Sequence, residues 1–94
     1  VYPKEVEGMI DAVEGVLASA VIGVPHRDFG EAVVAVIVRS DDALAAETVE
    51  AALADQLAKF KQPKAILFTD ALPRNSMGKV QKAELRKAHD GLFS

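Results

Sequence analysis

The stretch VLASAVIGVPHRDFGEAVVAVIV, residues 16–38, decides the fold. In its first part, small or branched apolar residues recur at every second position, as on one face of a strand: Ala18, Ala20, Ile22 and Val24. Its last part, AVVAVIV, is continuously apolar and β-branched, which is typical of a strand covered on both faces. Residues 25–31 between them favour a turn, because Gly30 permits a positive φ. We therefore predict two strands paired as an antiparallel hairpin.

Helical patterns lie on both sides of this hairpin. Residues 3–13, PKEVEGMIDAV, carry apolar side chains at three- and four-residue spacing. The same spacing predicts a second helix from Ala46 to Lys59. The segment AILF, residues 65–68, predicts a third strand, and residues 80–92 predict a last helix. The order α-β-β-α-β-α favours an α+β fold with a small, largely antiparallel three-stranded sheet, and we expect the helices to pack on one side of it.

Charge is divided unevenly along the chain. The net charge is -3, but residues 1–55 hold three bases against eleven acids, whereas residues 56–94 hold eight bases against three acids. In the last helix we expect Leu85 to face the core and three bases to face outward: Lys82, Arg86 and Lys87. Two interpretations stay open, ordinary solvated faces or a local site for a polyanion. Nucleic acid is not an expected partner, because the chain is acidic and has no basic motif with interleaved aromatic residues.

Composition excludes several other classes of site. The chain has 94 residues, enough for one domain, and it has no cysteine, so thiolate metal sites are excluded. His26 and His89 lie far apart in the sequence, and we expect no metal site. No apolar run approaches the roughly 20 residues that span a bilayer, and no signal peptide is visible, so we expect no membrane partner. Since Val1 is not methionine, we expect the chain to be part of something longer.

A polar loop over residues 69–79 holds the candidate functional residue. Pro73 restricts the approach of the chain, Gly78 lets it turn sharply, and Lys79 stands immediately before the last helix. An ammonium is a compact charge suited to phosphate or carboxylate, and placed on a reacting pair of anions it contributes on the order of 3–4 kcal/mol. An ordinary polar loop is the alternative. The segment is not a Walker P-loop, because Ser or Thr does not follow the lysine and the first glycine is missing.

Four stretches of the chain resemble the small C-terminal domain of the adenylate-forming superfamily, which includes the acyl-CoA synthetases. The resemblance covers essentially the whole chain and rests on these stretches, in this order: VYPKEVE, VLASAVIGVPHRDFGEAVVAVIV, LAKFKQPKAILFTDALPRN and PRNSMGKVQKAELR. Within the superfamily, the sequence of these stretches is most similar to that of malonyl-CoA synthetases. Medium-chain and aryl acyl-CoA synthetases are near alternatives.

The resemblance implies an activity and a role for Lys79. The full enzyme would activate a carboxylic acid with ATP to an acyl-adenylate, and CoA would then displace AMP. Residues 1–94 would be its mobile C-terminal lid, inactive alone, with the large N-terminal domain outside this chain. Lys79 matches the motif lysine that binds ATP and the carboxylate during adenylation, and in bacterial members it is the target of a protein acetyltransferase. Mg²⁺ would serve the full enzyme without binding this domain, and the expected location is cytoplasmic.

Contacts with CoA are implied less directly. In relatives a basic residue of the second helix meets a CoA phosphate, but the comparable position here is near Ala54. Lys59 and Lys61 are nearby substitutes, or else solvated lysines at a helix end. Tyr2 would lie near the pantetheine path, and Arg74 is either a surface charge or a residue that positions the nucleotide. The alternative function is a free-standing, non-catalytic module that binds an anion or a protein partner.

Overall fold

The computed structural model of the chain describes residues 3–28, 30–40, 43–56 and 62–92. Within them the element order α-β-β-α-β-α is confirmed. The helices and strands are α1 (Pro3–Asp11), β1 (Val16–His26), β2 (Gly30–Arg39), α2 (Ala46–Ala54), β3 (Ala65–Thr69) and α3 (Lys82–Ala88).

The sheet has the strand order β1-β2-β3. β1 and β2 pair antiparallel, and the pair His26 and Gly30 closes the hairpin at its turn. Gly30 has a φ of 76°, a conformation that glycine adopts without steric cost. β2 and β3 pair in parallel, from Val34 opposite Ala65 to Val38 opposite Thr69. Parallel neighbours need a long connection, and α2 lies within it. The predicted mostly antiparallel sheet is therefore confirmed.

The core lies on both faces of the sheet. One face is covered by α1 and α2, and its buried residues are Val6, Ile10, Val21, Ala35, Ile37, Leu44, Val49 and Leu53. The other is covered by α3 and the segment before it, and its buried residues are Ala20, Ile22, Val24, Val34, Val36, Leu72 and Leu85. The expectation that all helices pack on one side was wrong. Because β2 is apolar on both faces, burying only one of them would leave the other in water.

The second helix is shorter than predicted. Val49 and Leu53 are fully buried on it, but α2 ends at Ala54 rather than at Lys59. The Gln56 N–H donates to the Leu53 carbonyl at 3.0 Å. This hydrogen bond spans three residues, as in a 3₁₀ turn, and such tighter turns are common where an α-helix ends.

The last helix orients its side chains mostly as expected. Leu85 is buried, and Arg86 and Lys87 are exposed. The prediction for Lys82 was wrong. Its ammonium turns back to the carboxylate of Glu7 on α1 at 2.6 Å, and only 29% of the side chain is exposed. A charged partner within reach explains why this lysine does not point into solvent.

Candidate functional site

The candidate lysine lies on a narrow hairpin between β3 and α3. Arg74 and Val80 face each other in an isolated antiparallel bridge, so residues 74–80 form a closed turn that we call the Lys79 hairpin. Both stems are anchored, since Leu72 is buried among the core residues that α3 covers and Val80 packs against them. The Gln81 N–H also donates to the Pro73 carbonyl at 2.8 Å. The hairpin is therefore held at its base by packing and by backbone hydrogen bonds.

Asn75 organises the inside of the Lys79 hairpin. Its side-chain oxygen accepts hydrogen bonds from the backbone N–H groups of Met77 and Lys79, each at 3.0 Å. Its backbone N–H donates to the Lys79 carbonyl at 3.0 Å, and its carbonyl accepts from the Gly78 N–H at 2.9 Å. Sequence reasoning missed this residue. The signal that could have found it is the tendency of Asn to bind the backbone two residues further on.

Gly78 and Arg74 complete the hairpin. Gly78 has a φ of 82°, and a methyl group built on its Cα would meet no atom within 4 Å. The turn therefore needs glycine for its backbone conformation, and not for lack of room. The Arg74 guanidinium donates to the Gly78 carbonyl at 2.9 Å. That contact gives Arg74 a local role in bracing the turn, besides the two roles that the sequence left open.

The Lys79 side chain is exposed, in contrast to its fixed backbone. Both its N–H and its carbonyl are hydrogen-bonded within the hairpin. Among the residues that the structure describes, none forms an ion pair with its ammonium. Met77 beside it at the tip is 89% exposed. The arrangement presents the Lys79 ammonium on a rigid support, which suits it to an anion outside this chain.

The other predicted site residues divide into two groups. Pro73 and Gly78 belong to the Lys79 hairpin, as described. Tyr2, Lys59 and Lys61 lie outside the described residues, so their proposed contacts with CoA stay predictions.

A metal-binding cluster and a membrane-spanning helix are both absent from the residues that the structure describes. Residues 3–28, 30–40, 43–56 and 62–92 contain no cluster of three or more His, Cys, Asp or Glu side chains that could hold a metal ion. In the same ranges, every helix is too short or too polar to cross a bilayer.

Comparisons with known proteins agree on one family. The model of the AMP-binding enzyme C-terminal domain matches residues 5–79. The long-chain-fatty-acid–CoA ligase FadD13 of Mycobacterium tuberculosis is 37% identical over 95% of this chain. An octahydroindenyl-propanoyl:CoA ligase of Rhodococcus jostii is 46% identical over 93% of it. The crystal structure of ATP-bound MatB from Rhodopseudomonas palustris superimposes on the whole chain with a TM-score of 0.96 and 54% identity. The chain spans under a fifth of these proteins, with 18%, 17% and 19% of their lengths covered.

Proposed function

The chain belongs to the family of AMP-binding enzyme C-terminal domains, and from this premise we propose that it is the mobile C-terminal domain of an ATP-dependent carboxylic acid–CoA ligase. Its partners are then an N-terminal domain that holds most of the nucleotide and acyl pockets, the acid, ATP and CoA. The observation that carries the proposal is the exposed Lys79 ammonium on a hairpin whose backbone is hydrogen-bonded on both sides of it.

The adenylation reaction is favoured by a positive charge at the position of the Lys79 ammonium. In the first half-reaction a carboxylate oxygen attacks the α-phosphorus of ATP, the new P–O bond forms, and the bond to pyrophosphate breaks. Both reactants are anions, so an ammonium between them lowers their repulsion and stabilises the charge that gathers on the α-phosphoryl oxygens. The support of Lys79 is already ordered, so this charge is placed with little reorganisation. No proton needs to move to or from Lys79.

The second half-reaction has a different electrostatic demand. The CoA sulfur attacks the acyl carbon and AMP leaves, so the repulsion between a free carboxylate and ATP no longer has to be overcome. We propose that the domain rotates between the two steps and carries Lys79 away from the reacting atoms. Mg²⁺ is expected to accompany ATP in the full enzyme. Among the described residues, no cluster of three or more His, Cys, Asp or Glu side chains could hold it.

We propose malonate as the acid substrate. The support is the resemblance of the hairpin and loop stretches to malonyl-CoA synthetases, together with the 54% identity to MatB. The 37% identity to FadD13 is lower, and its name states a long-chain fatty acid. An assay of the full enzyme that follows AMP release should therefore include malonate, long-chain fatty acids and aryl acids.

Regulation through Lys79 is part of the same proposal. The exposed ammonium is accessible to a protein acetyltransferase, and acetylation would remove the charge that adenylation needs. We also propose a cytoplasmic location for the full enzyme.

The test separates the two half-reactions in the full enzyme. Lys79→Ala should slow adenylation about 100- to 1,000-fold, the cost of removing one preorganised charge donor. Thioester formation from a supplied acyl-adenylate should stay within about twofold of the parent. Lys87→Ala, at an exposed lysine of α3, is the matched control and should change neither rate. Equal losses in both half-reactions would refute the role of Lys79, and a full-length protein with no ligase activity would favour the binding-module alternative.

A further inference from the structure

The Glu7 carboxylate joins three elements of the fold. It lies on α1, and its Oε2 atom is 2.6 Å from the Lys82 ammonium on α3. The same oxygen accepts a hydrogen bond from the Val21 N–H of β1 at 2.7 Å. One carboxylate oxygen therefore binds a charged donor and a backbone donor that belong to different parts of the chain.

The Glu7–Lys82 ion pair connects the two faces of the sheet. α1 packs on one face and α3 on the other, with β1 as the edge strand between them. The pair therefore passes around the outer edge of β1. Only 16% of the Glu7 side chain and 29% of the Lys82 side chain are exposed. Solvent and salt screen such a pair less than a surface pair, so it can fix geometry as well as add stability.

The position of Lys82 allows the ion pair to restrict the movement of α3. Lys82 is the first residue of α3 and follows closely on Lys79 in the sequence. Leu85 is the buried residue of that helix. A helix held at one buried side chain can still pivot about that point. The base of the hairpin is already held by packing and backbone hydrogen bonds. An attachment at the first turn of α3, through Lys82, adds a charged contact that opposes the pivot and helps to set the direction in which the Lys79 hairpin projects.

We propose that Glu7 is a positioning residue for Lys79, acting through Lys82. This inference rests on the proposed function, in which the upstream domain joins the chain just before α1. The Glu7–Lys82 pair then makes α1 and the start of α3 parts of one rigid body. A rotation transmitted through α1 then brings the Lys79 hairpin to the adenylation site without relative movement between α1 and the hairpin.

The experiment uses single and double variants of the full enzyme. Glu7→Gln removes the charge but keeps an oxygen that can accept from the Val21 N–H, and Lys82→Met removes the ammonium but leaves Glu7 bound to β1. Each should slow adenylation about tenfold, within the range of coupling between contacting groups, and the double variant should be no slower than either. Lys82→Arg should restore the rate. Glu5→Gln, at an exposed glutamate of α1, is the matched control.

The decisive comparison is made in the Lys79→Ala background. If Glu7 acts through Lys79, then Glu7→Gln should change the residual adenylation rate by less than about twofold there. A tenfold effect that persists without Lys79 would overturn the inference, as would equal losses in adenylation and in thioester formation. The melting temperature of each variant identifies a general loss of folding. If Glu7→Gln does not fold, Lys82→Met in the Lys79→Ala background provides the same test of the ion pair.

Failure of this inference can be told apart from failure of the proposed function. If Lys79→Ala itself leaves adenylation unchanged, the proposed role of Lys79 is wrong. If Lys79→Ala slows adenylation while Glu7→Gln and Lys82→Met match Glu5→Gln, the role of Lys79 stands and the positioning role of Glu7 is wrong.

Discussion

Replacing Gly78 with alanine tests whether the shape of the Lys79 hairpin matters for the chemistry. Gly78 has a φ of 82°, and its added methyl group would meet no atom within 4 Å. The cost is therefore confined to the backbone conformation, about 1–2 kcal/mol for an L-residue in the left-handed region. The hairpin is exposed, so we expect it to relax to a negative φ and give up the hydrogen bonds to Asn75. An energy of 1–2 kcal/mol then lowers the population of the correct hairpin about 5- to 30-fold.

The assay compares Gly78→Ala with a control of equal backbone cost. Gly30 has a φ of 76° and equally free space around a built methyl group, but it belongs to the β1–β2 turn. In the full enzyme, Gly78→Ala should slow adenylation about 5- to 30-fold and leave thioester formation unchanged. Gly30→Ala should leave both rates unchanged, while urea unfolding of the 94-residue chain shows a loss of about 1–2 kcal/mol.

The reasoning is refuted if the two alanine variants behave alike. Equal rates would mean that the conformation of the Lys79 hairpin does not limit adenylation. A loss in thioester formation as large as that in adenylation would point instead to damage of the whole domain.

Two further predictions concern single side chains. Asn75→Ala removes the acceptor of two backbone N–H groups, so the adenylation rate should fall about fivefold. The control Ser76→Ala, in the same turn, should leave that rate unchanged. Equal rates for the two variants would contradict the role of Asn75. Gly8→Ala places a better helix former at an exposed position of α1 where the methyl group meets no atom within 4 Å. It should raise the free energy of unfolding by about 0.5–1 kcal/mol in urea titrations, and a loss of stability would show that α1 is constrained at this position.

The sequence predicted the fold where local patterns decide it. The alternation over residues 18–24 and the continuous apolar run over residues 32–38 determine which strands form and how the first two pair. The error about the side on which the helices pack has a physical cause. Leu72 was taken as a loop residue, but together with Val80 it completes the core beneath α3. Burial of isolated apolar residues in a loop depends on the tertiary fold, which a local pattern does not contain.

The candidate site was predictable in its main residue and not in its supports. Lys79 and Gly78 stand in a motif that could be read directly. The hydrogen bonds to Asn75 depend on the turn that residues 74–80 form, and several turns are compatible with that sequence. The contact between Glu7 and Lys82 joins the two ends of the chain and exists only after the sheet has formed. Sequence alone assigned Lys82 to the solvent, because a lysine on a basic helix face usually lies there.

The carboxylate on the outer edge of β1 also affects how the domain avoids self-association. Edge strands present free N–H and C=O groups to which a strand of another molecule can add. Here the Val21 N–H is taken by Glu7, and the hydroxyl of Ser19 on the same strand donates to Asp11 at 2.7 Å. An incoming strand would have to displace both acids and break an ion pair, so α1 protects this edge against sheet extension and aggregation.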